Sequence, residues 1–196
     1  MFGLVNKGLE DMVCSQYGEE TWAEIKSKAE VQIEAFISMD AYPDDITYRL
    51  VDAASAVIKM PATDVLEAFG KYWLLFTAAE GFGSLMAMAG DNFPEFLQNL
   101  DNLHARMGLS FPELQPPSFL CSHLEAESIK LHYYSDRPGL TPMVVGMLKG
   151  LGEKFDTDVD IQLTNSKDRG NDHQELSIAH KPKCPFKQQL LHHDRN

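Results

Sequence analysis

Apolar and polar positions alternate with helical spacing through the first hundred residues of the chain. The earliest apolar stripe, whose members share one face of a helix, comprises Leu4, Val5, Leu9, Met12 and Val13. Gly18 predicts the end of that helix, and a short second helix carries Trp22 and Ile25. The pattern therefore predicts a helical N-terminal half.

Two more helices are indicated before residue 80, and a short apolar one follows them. Asp44 or Asp45 is expected to cap the third helix, and Thr63 the fourth, after Pro61 breaks the chain. The apolar stripe of the fourth helix comprises Val65, Leu66, Phe69, Trp73 and Phe76. Glycines 81, 83 and 90 bracket the short apolar helix.

A longer helix is predicted over residues 91–107. Pro94 and Glu95 suit its first turn, and Gly108 suits its end. Its apolar stripe comprises Phe93, Phe96, Leu97, Leu100, Leu103 and Met107. His104 falls inside that stripe, whereas Asp101 is expected to face away. A single histidine in an apolar stripe is more often a core residue bonded to backbone than a ligand, so this position is ambiguous by itself.

The pattern changes after Gly108, where a proline-rich link leads into alternating positions. Strands are predicted at 118–122, Ser128–Tyr134, 159–163 and 176–180, and Thr141 and Pro142 begin a helix between the second and third strands. Helices in one half and strands in the other indicate an α+β fold.

The stretch LHYYSDRPGL, residues 131–140, carries the most distinctive polar pattern. Tyr133, Ser135 and Arg137 are spaced two apart, so they share a face if the strand continues. A buried guanidinium needs an anionic partner, and no acidic residue lies nearby on that face. The row therefore predicts a clamp for the acidic groups of a bound molecule. The alternative is a strand end at which Arg137 pairs with a surface carboxylate such as Asp136.

Composition narrows the class of protein. The 196 residues carry a formal charge of −12 and no clear basic run, which disfavours a nucleic-acid partner. No apolar stretch approaches eighteen residues and no leader pattern precedes the first helix, so we expect a cytoplasmic chain with no membrane association. Three scattered cysteines indicate neither a disulfide scaffold nor a zinc ribbon.

These residues together resemble the H-NOX family, the haem nitric oxide/oxygen binding domains related to the haem domain of soluble guanylate cyclase. The resemblance rests on the Tyr-x-Ser-x-Arg row, on His104 placed 29 residues before Tyr133, on the Pro116-Pro117 pair and on the opening MFGLVNKGLEDMV. It covers roughly residues 1–181 and suits a bacterial stand-alone type.

The resemblance implies an α+β fold: a helical N-terminal half packed on a C-terminal half that has a four-stranded antiparallel sheet and a helix, with haem between them. We expect one domain over residues 1–182, with a helical subdomain to about residue 60, haem-cradling helices and sheet from about 61, and a mobile tail at 183–196.

The resemblance also implies roles for individual residues. His104 would be the axial iron ligand, and Tyr133, Ser135 and Arg137 would hold the propionates of a non-covalent haem b. Pro117 would press on the porphyrin. The other residues expected to line the haem pocket are Val5, Trp73, Leu100, Met143 and Met147.

The implied function is gas sensing rather than catalysis. Oxygen-binding members of the family carry a distal tyrosine where this chain has Met143, so we expect a sensor of NO, with CO as a second ligand. NO would cleave the iron–His104 bond, and the signal would pass to a separate histidine kinase or cyclic-dinucleotide enzyme. An O2-binding haem sensor or carrier, in which the Trp73 indole is the donor, is one alternative. A cofactor-free interaction domain is another.

The remaining histidines and cysteines could in principle hold zinc. None of them has zinc-finger spacing, and we therefore expect surface residues here and no metal other than iron.

Overall fold

The computed structural model describes residues 1–111, 115–166 and 170–183, except for the side chains at 79–81 and 110. Its helices are α1 Gly3–Tyr17, α2 Glu19–Lys28, α3 Asp44–Ile58, α4 Ala62–Tyr72, α5 Ala78–Ala87, α6 Phe93–Ser110 and α7 Thr141–Lys154. Its strands are β1 Ser118–Glu125, β2 Ser128–Tyr134, β3 Thr157–Asn165 and β4 Gln174–Pro182. The predicted tail lies outside the described residues beyond Lys183.

The four strands form one antiparallel sheet in the order β1-β2-β4-β3. β2 lies in the middle, paired with β1 on one side and with β4 on the other. Its residues alternate between the two faces: Ile129, Leu131 and Tyr133 are buried, and the residues between them are partly exposed. The predicted α+β fold with a four-stranded antiparallel sheet is confirmed.

Two apolar cores underlie the two halves of the molecule. The first is built by α1–α4 around Leu9, Ile25 and Leu50, and the second by α6, α7 and the inner face of the sheet around Phe93 and Leu131. Trp73 packs against both cores. The space between the halves therefore lies next to this indole.

Two of the predicted helix caps are wrong. α3 begins at Asp44 and α4 at Ala62, so prolines 43 and 61 occupy the N-cap positions, and neither position supplies a side-chain cap. A proline has its φ angle fixed and tolerates this boundary without donating a hydrogen bond. Thr63 is consequently the second residue of α4, and the Asp44 carboxylate is left available for a distant partner.

The apolar stripe predicted for the fourth helix is wrong at its C-terminal end. A π-helical turn over Trp73–Thr77 connects α4 to α5, and Phe76 is exposed rather than buried. Wider turns insert an extra residue, which rotates the following side chains away from the stripe and often marks a functional site. α6 also continues past Gly108 to Ser110.

Candidate functional site

A cavity of about 590 Å³ lies between the two halves. This volume falls in the range of small-molecule and cofactor sites, and most of the lining side chains are apolar. The structure brings all ten predicted site residues to its wall: Val5, Trp73, Leu100, His104, Pro117, Tyr133, Ser135, Arg137, Met143 and Met147. Their spread over the chain, from residue 5 to residue 147, makes the cavity a property of the whole fold.

His104 is held in a defined orientation on α6. Its Nδ1 lies 3.0 Å from the carbonyl oxygen of Pro117. A carbonyl only accepts hydrogen bonds, so Nδ1 carries the proton and Nε2 keeps its lone pair. Burial lowers the pKa of His104, although the Pro117 carbonyl and the nearby Asp101 act in the opposite direction. A neutral imidazole with its other nitrogen bonded to a carbonyl is the usual state of a metal-ligating histidine.

The start of β1 is fastened to α6 beside this histidine. One carboxylate oxygen of Asp101 accepts hydrogen bonds from the Ser118 hydroxyl at 2.9 Å and from the Phe119 backbone N–H at 3.0 Å. Asp101 is exposed, as expected for a residue outside the apolar stripe, and its carboxylate still bonds to the start of β1. The Phe119 ring also lies 5.7 Å from the His104 ring and stacks on Tyr133 at 5.3 Å. These contacts join the axial residue to the polar row.

The polar row ends in a turn rather than in a continued strand. β2 stops at Tyr134, and the Ser135 hydroxyl accepts a hydrogen bond from the Arg137 backbone N–H at 3.1 Å. The turn still directs the Ser135 and Arg137 side chains to the cavity. Burial raises the pKa of Tyr133, and the Ser135 hydroxyl and Arg137 oppose that shift only in part, so the phenol stays protonated.

Arg137 has an anionic partner that the sequence pattern did not indicate. Its Nε donates to the Asp44 carboxylate at 2.8 Å, and its Nη1 donates to the Gln115 carbonyl at 2.8 Å. The expected lack of a nearby carboxylate is wrong. The alternative, an Arg137 paired with a carboxylate at the strand end, is found, with Asp44 as the partner in place of Asp136. A guanidinium has five N–H donors, so three remain after these two bonds among the described residues.

Asp44 lies 93 positions before Arg137, and nothing in its sequence surroundings indicates the contact. Burial raises the pKa of Asp44, but hydrogen bonds from the terminal amine and Arg137 outweigh that effect and lower it overall. The sequence pattern did not indicate the contacts made by four residues: Asp44, Gln115, Asp101 and Phe119. Only Phe119 could have been found from the sequence, because it occupies an inward-facing position in the alternating pattern of a predicted strand.

The wall that carries Trp73 and Met143 is formed by the turn that follows α4, by α7 and by the start of α1, and α4 packs against α7 behind it. Two glycines bring α4 and α7 together: a Cβ on Gly70 would lie 2.0 Å from the Met143 carbonyl oxygen, and one on Gly146 would lie 1.9 Å from the Glu67 carbonyl oxygen. Gly8 of α1 similarly leaves room for Trp73, since a Cβ there would lie 3.0 Å from the indole ring. Trp73 and Met143 are placed on the cavity by these close contacts.

The residues present fit a haem. The cavity is apolar over most of its surface, as a porphyrin requires, and one edge carries a guanidinium and two hydroxyl groups that suit carboxylates. One neutral imidazole borders the same space. A single proximal histidine is a common means of holding haem iron. No helix among the described residues is long and apolar enough to cross a bilayer.

Comparison with known proteins agrees with this reading of the geometry. The family model described as haem-NO-binding matches residues 2–163. Soluble guanylate cyclase gcy-31 of Caenorhabditis elegans is 31% identical over 164 residues, and gcy-35 of the same organism is 33% identical over 172 residues. These alignments cover 83% and 85% of this chain but only 23% and 25% of those relatives. The chain therefore spans about a quarter of their length.

Solved structures match over nearly the whole chain. An H-NOX protein from S. oneidensis in the Fe(II)NO ligation state is 25% identical, with a TM-score of 0.83, covering 92% of this chain and 99% of that one. The Fe(II) unliganded H-NOX protein from K. algicida shares the fold at 20% identity, with a TM-score of 0.81 and coverage of 95% and 100%. The chain belongs to the haem-NO-binding, or H-NOX, family, whose members are haem-based gas sensors related to soluble guanylate cyclase.

Proposed function

We propose that this protein holds a non-covalent haem b in the central cavity and senses NO, with CO as a weaker second ligand. In this proposal NO binding separates His104 from the iron, and the resulting movement signals to another protein. The observation that carries it is the His104–Pro117 hydrogen bond of 3.0 Å, which leaves Nε2 as the metal-binding nitrogen of a residue on the cavity wall. The S. oneidensis relative was solved in an Fe(II)NO state.

The bound haem would supply the iron to which the gas binds. The chain would supply retention and orientation. Arg137 and the hydroxyls of Tyr133 and Ser135 are suited to bind the propionates, because hydrogen bonds between charged groups are about twice as strong as neutral ones. Pro117 and Val5, which also line the cavity, would contact the porphyrin. Burial of several hundred Å² of porphyrin contributes roughly 10 kcal/mol at about 25 cal/mol/Å². Retention therefore does not depend on His104 alone.

Gas selectivity would depend on the wall opposite His104. The predicted distal residues are Met143 and Trp73. Met143 has no hydrogen-bond donor, nor do the pocket residues Val5 and Met147, whereas the Trp73 indole has one. The distal pocket's donors and steric access decide between O2 binding and other outcomes at haem. A wall with methionine in place of a phenol or an imidazole favours NO over O2.

The step after gas binding would be a release of α6. The helix is joined to β1 through the Asp101 carboxylate and through the bond from His104 to the Pro117 carbonyl. With His104 also bound to the iron of a haem, α6, β1 and the cofactor would form one unit. Without that contact α6 would be free to shift relative to the cavity, and NO would drive the shift only through its differential affinity for the two states.

The receiver of the signal would be a separate signalling enzyme in the cytoplasm, either a histidine kinase or an enzyme of cyclic-dinucleotide metabolism. The charge of −12 is compatible with a basic surface on that partner.

An O2-binding haem sensor is the second candidate function, and the Trp73 indole on the cavity wall is the observation that favours it. The cofactor-free alternative is disfavoured by the cavity itself, because protein interiors are otherwise close-packed with few voids larger than a water molecule.

Absorption spectra of the ferrous protein under N2, air, CO and NO test these proposals together. We expect a Soret band whose position is unchanged by air and shifted by CO and NO, with the NO spectrum that of iron without an imidazole ligand. A stable oxygenated spectrum in air would favour the O2-binding candidate. Purified protein that shows no Soret band after haem is added would overturn the haem assignment.

A further inference from the structure

A cluster of metal-binding side chains lies on the face of the sheet that points away from the cavity. His132 and Glu175 are direct cross-strand partners on β2 and β4, and His173 lies two residues before Glu175 on the same face. The potential ligand atoms of these three residues lie within 4.8 Å of one another. The cluster has no part in the haem site, since the side chains of strand neighbours such as Tyr133 point to the opposite face.

We propose that His132, His173 and Glu175 form a second metal site, which binds a divalent ion of the zinc(II) type. Two imidazoles and one carboxylate are ligands that zinc prefers, and three protein ligands leave a fourth tetrahedral position for water. The three side chains are only 16% to 19% exposed, which shields an ion from competing solvent while leaving a path to it.

The distances suit an ion after a small adjustment. Nδ1 of His132 and Nε2 of His173 converge to 2.9 Å, and the free carboxylate oxygen of Glu175 lies 3.9 Å from the same Nδ1. With zinc–nitrogen bonds of about 2.0–2.1 Å, two tetrahedral ligands lie about 3.3 Å apart. The two imidazoles therefore need to separate by only a few tenths of an ångström to admit the ion.

The outer contacts of both imidazoles match those of metal ligands. The remote nitrogen of His132, Nε2, lies 2.7 Å from the Ser122 hydroxyl, and the remote nitrogen of His173, Nδ1, lies 2.5 Å from the Asp172 carboxylate. Metal-ligating histidines almost always donate their other N–H to such an oxygen, which fixes the ring and its tautomer. The 2.9 Å contact between the two imidazoles is a hydrogen bond in this structure, and the ion would take the place of its proton.

The remaining groups around the cluster orient Glu175 and set the local charge. The other carboxylate oxygen of Glu175 accepts from Lys130 at 3.0 Å and from the Thr164 hydroxyl at 2.9 Å, so Oε2 is turned toward His132. The Lys130 ammonium offsets the negative charge of Glu175, and the Asp172 carboxylate adds another negative charge beside the site.

The earlier expectation of no metal other than iron considered only spacing along the chain, and the ligands are separated by 41 residues between His132 and His173. An ion here would join β2, β4 and the segment before β4. Gln174, between His173 and Glu175, accepts a hydrogen bond at 2.6 Å from Thr141 at the start of α7. The site would thus stiffen the sheet behind the polar row without entering the cavity.

Calorimetric titration of the full haem-loaded chain with Zn²⁺ in chelator-free buffer tests the proposal. We expect one ion per chain, with affinity reduced by more than about 100-fold in His132→Ala and His173→Ala, and by about 10- to 100-fold in Asp172→Asn, since outer contacts are worth that much. Asp158→Asn, which changes an exposed carboxylate on β3 away from the cluster, should leave the affinity unchanged. An unaltered Soret band and thermal midpoint would show that each variant is folded.

Zinc-edge X-ray absorption of the unmodified protein gives a measurement that needs no variant. We expect a first shell of nitrogen and oxygen with the scattering of two imidazoles. Sulfur ligation, or binding that survives both His132→Ala and His173→Ala but is lost when His192 and His193 are replaced, would overturn the proposal by assigning the ion elsewhere. Absence of measurable binding at micromolar Zn²⁺ would overturn it as well.

Discussion

The two walls of the cavity are built on different principles. The wall that carries His104 is held by directed polar contacts: the imidazole bonds to the Pro117 carbonyl, and the Asp101 carboxylate bonds to the start of β1. The opposite wall is held by close backbone approach, in which Gly70 and Gly146 allow α4 and α7 to touch. One wall depends on a few replaceable bonds and the other on shape.

This difference indicates which part of the molecule is able to move. Packed backbone contacts lose dispersion energy steeply when they separate, so α4 and α7 have one favourable arrangement. A hydrogen bond to a carbonyl is worth about 0.5–1.5 kcal/mol net and can be exchanged for another. We infer that α6 is the mobile element of a gas-driven switch and that the α4–α7 wall is its fixed frame.

Removal of the His104 imidazole should have the largest effect. In His104→Gly we expect haem affinity to fall by at least about tenfold, because even outer contacts of metal ligands are worth 10- to 100-fold. Added imidazole should restore a histidine-ligated spectrum. The measurement is haem content and the ferrous absorption spectrum, with His123→Gly as the matched control. Haem content and spectra unchanged by the substitution would remove the basis for distinguishing the two walls.

Alanine substitutions at glycines should separate the walls by stability. Gly70→Ala places a methyl group against the Met143 carbonyl, and we expect a loss of about 2–3 kcal/mol in the free energy of unfolding. Gly108→Ala on α6 is the control. Its Cβ would meet no atom within 4 Å, and we expect no loss and a gain of up to about 1 kcal/mol from helix propensity. Urea denaturation measures both. Equal destabilisation by the two changes would contradict the proposed rigid frame.

The Arg137 guanidinium bonds to residues of both halves, so its loss should weaken cofactor retention without altering the iron ligand. In Arg137→Ala we expect haem to dissociate about tenfold faster, which corresponds to about 1.4 kcal/mol, with the ferrous spectrum unchanged. Arg137→Lys should recover only part of the loss, since lysine cannot make both contacts in one plane. Transfer of haem to an apoprotein acceptor gives the rate. A rate equal to that of the unmodified protein would show that the row does not bind propionates.

Acidification should loosen α6 through His180, and this is the smallest expected effect. His180 is 6% exposed, lies 5.7 Å from the ring of Phe93 at the start of α6, and has its pKa lowered by burial, with Glu127 opposing. An unfolded imidazole takes up a proton near pH 6.5 whereas the folded one resists, so stability is full above that pH. Below that pH the free energy of unfolding should decrease, by at most about 1.4 kcal/mol per pH unit.

The measurement for His180 is the urea midpoint at pH 7.5 and 5.5, together with hydrogen exchange in α6. His180→Phe, which cannot take up a proton, should show a smaller difference between the two pH values. A pH dependence identical in the two proteins would assign the acid sensitivity to other groups.

Local sequence patterns were sufficient for much of the architecture. The end of α1 at Gly18, the bounds of β2 and the start of α7 followed from turn chemistry and from the alternation of apolar positions. The ten candidate site residues came from a family resemblance rather than from periodicity, and their haem-binding roles stay predictions. The errors at Asp44, Thr63 and Phe76 have a common cause, because each depends on how a helix end meets a neighbouring element.

By itself the sequence determined the helical and strand segments, the polar row and the presence of one histidine in an apolar stripe, since each is encoded within a few neighbouring positions. The tertiary structure alone decided that Asp44 is the partner of Arg137, that Pro117 orients His104, and that His132 and His173 converge on the outer face of the sheet. These pairs are separated by 13 to 93 residues, and only the packing of the two halves and the register of the strands fixes their distances.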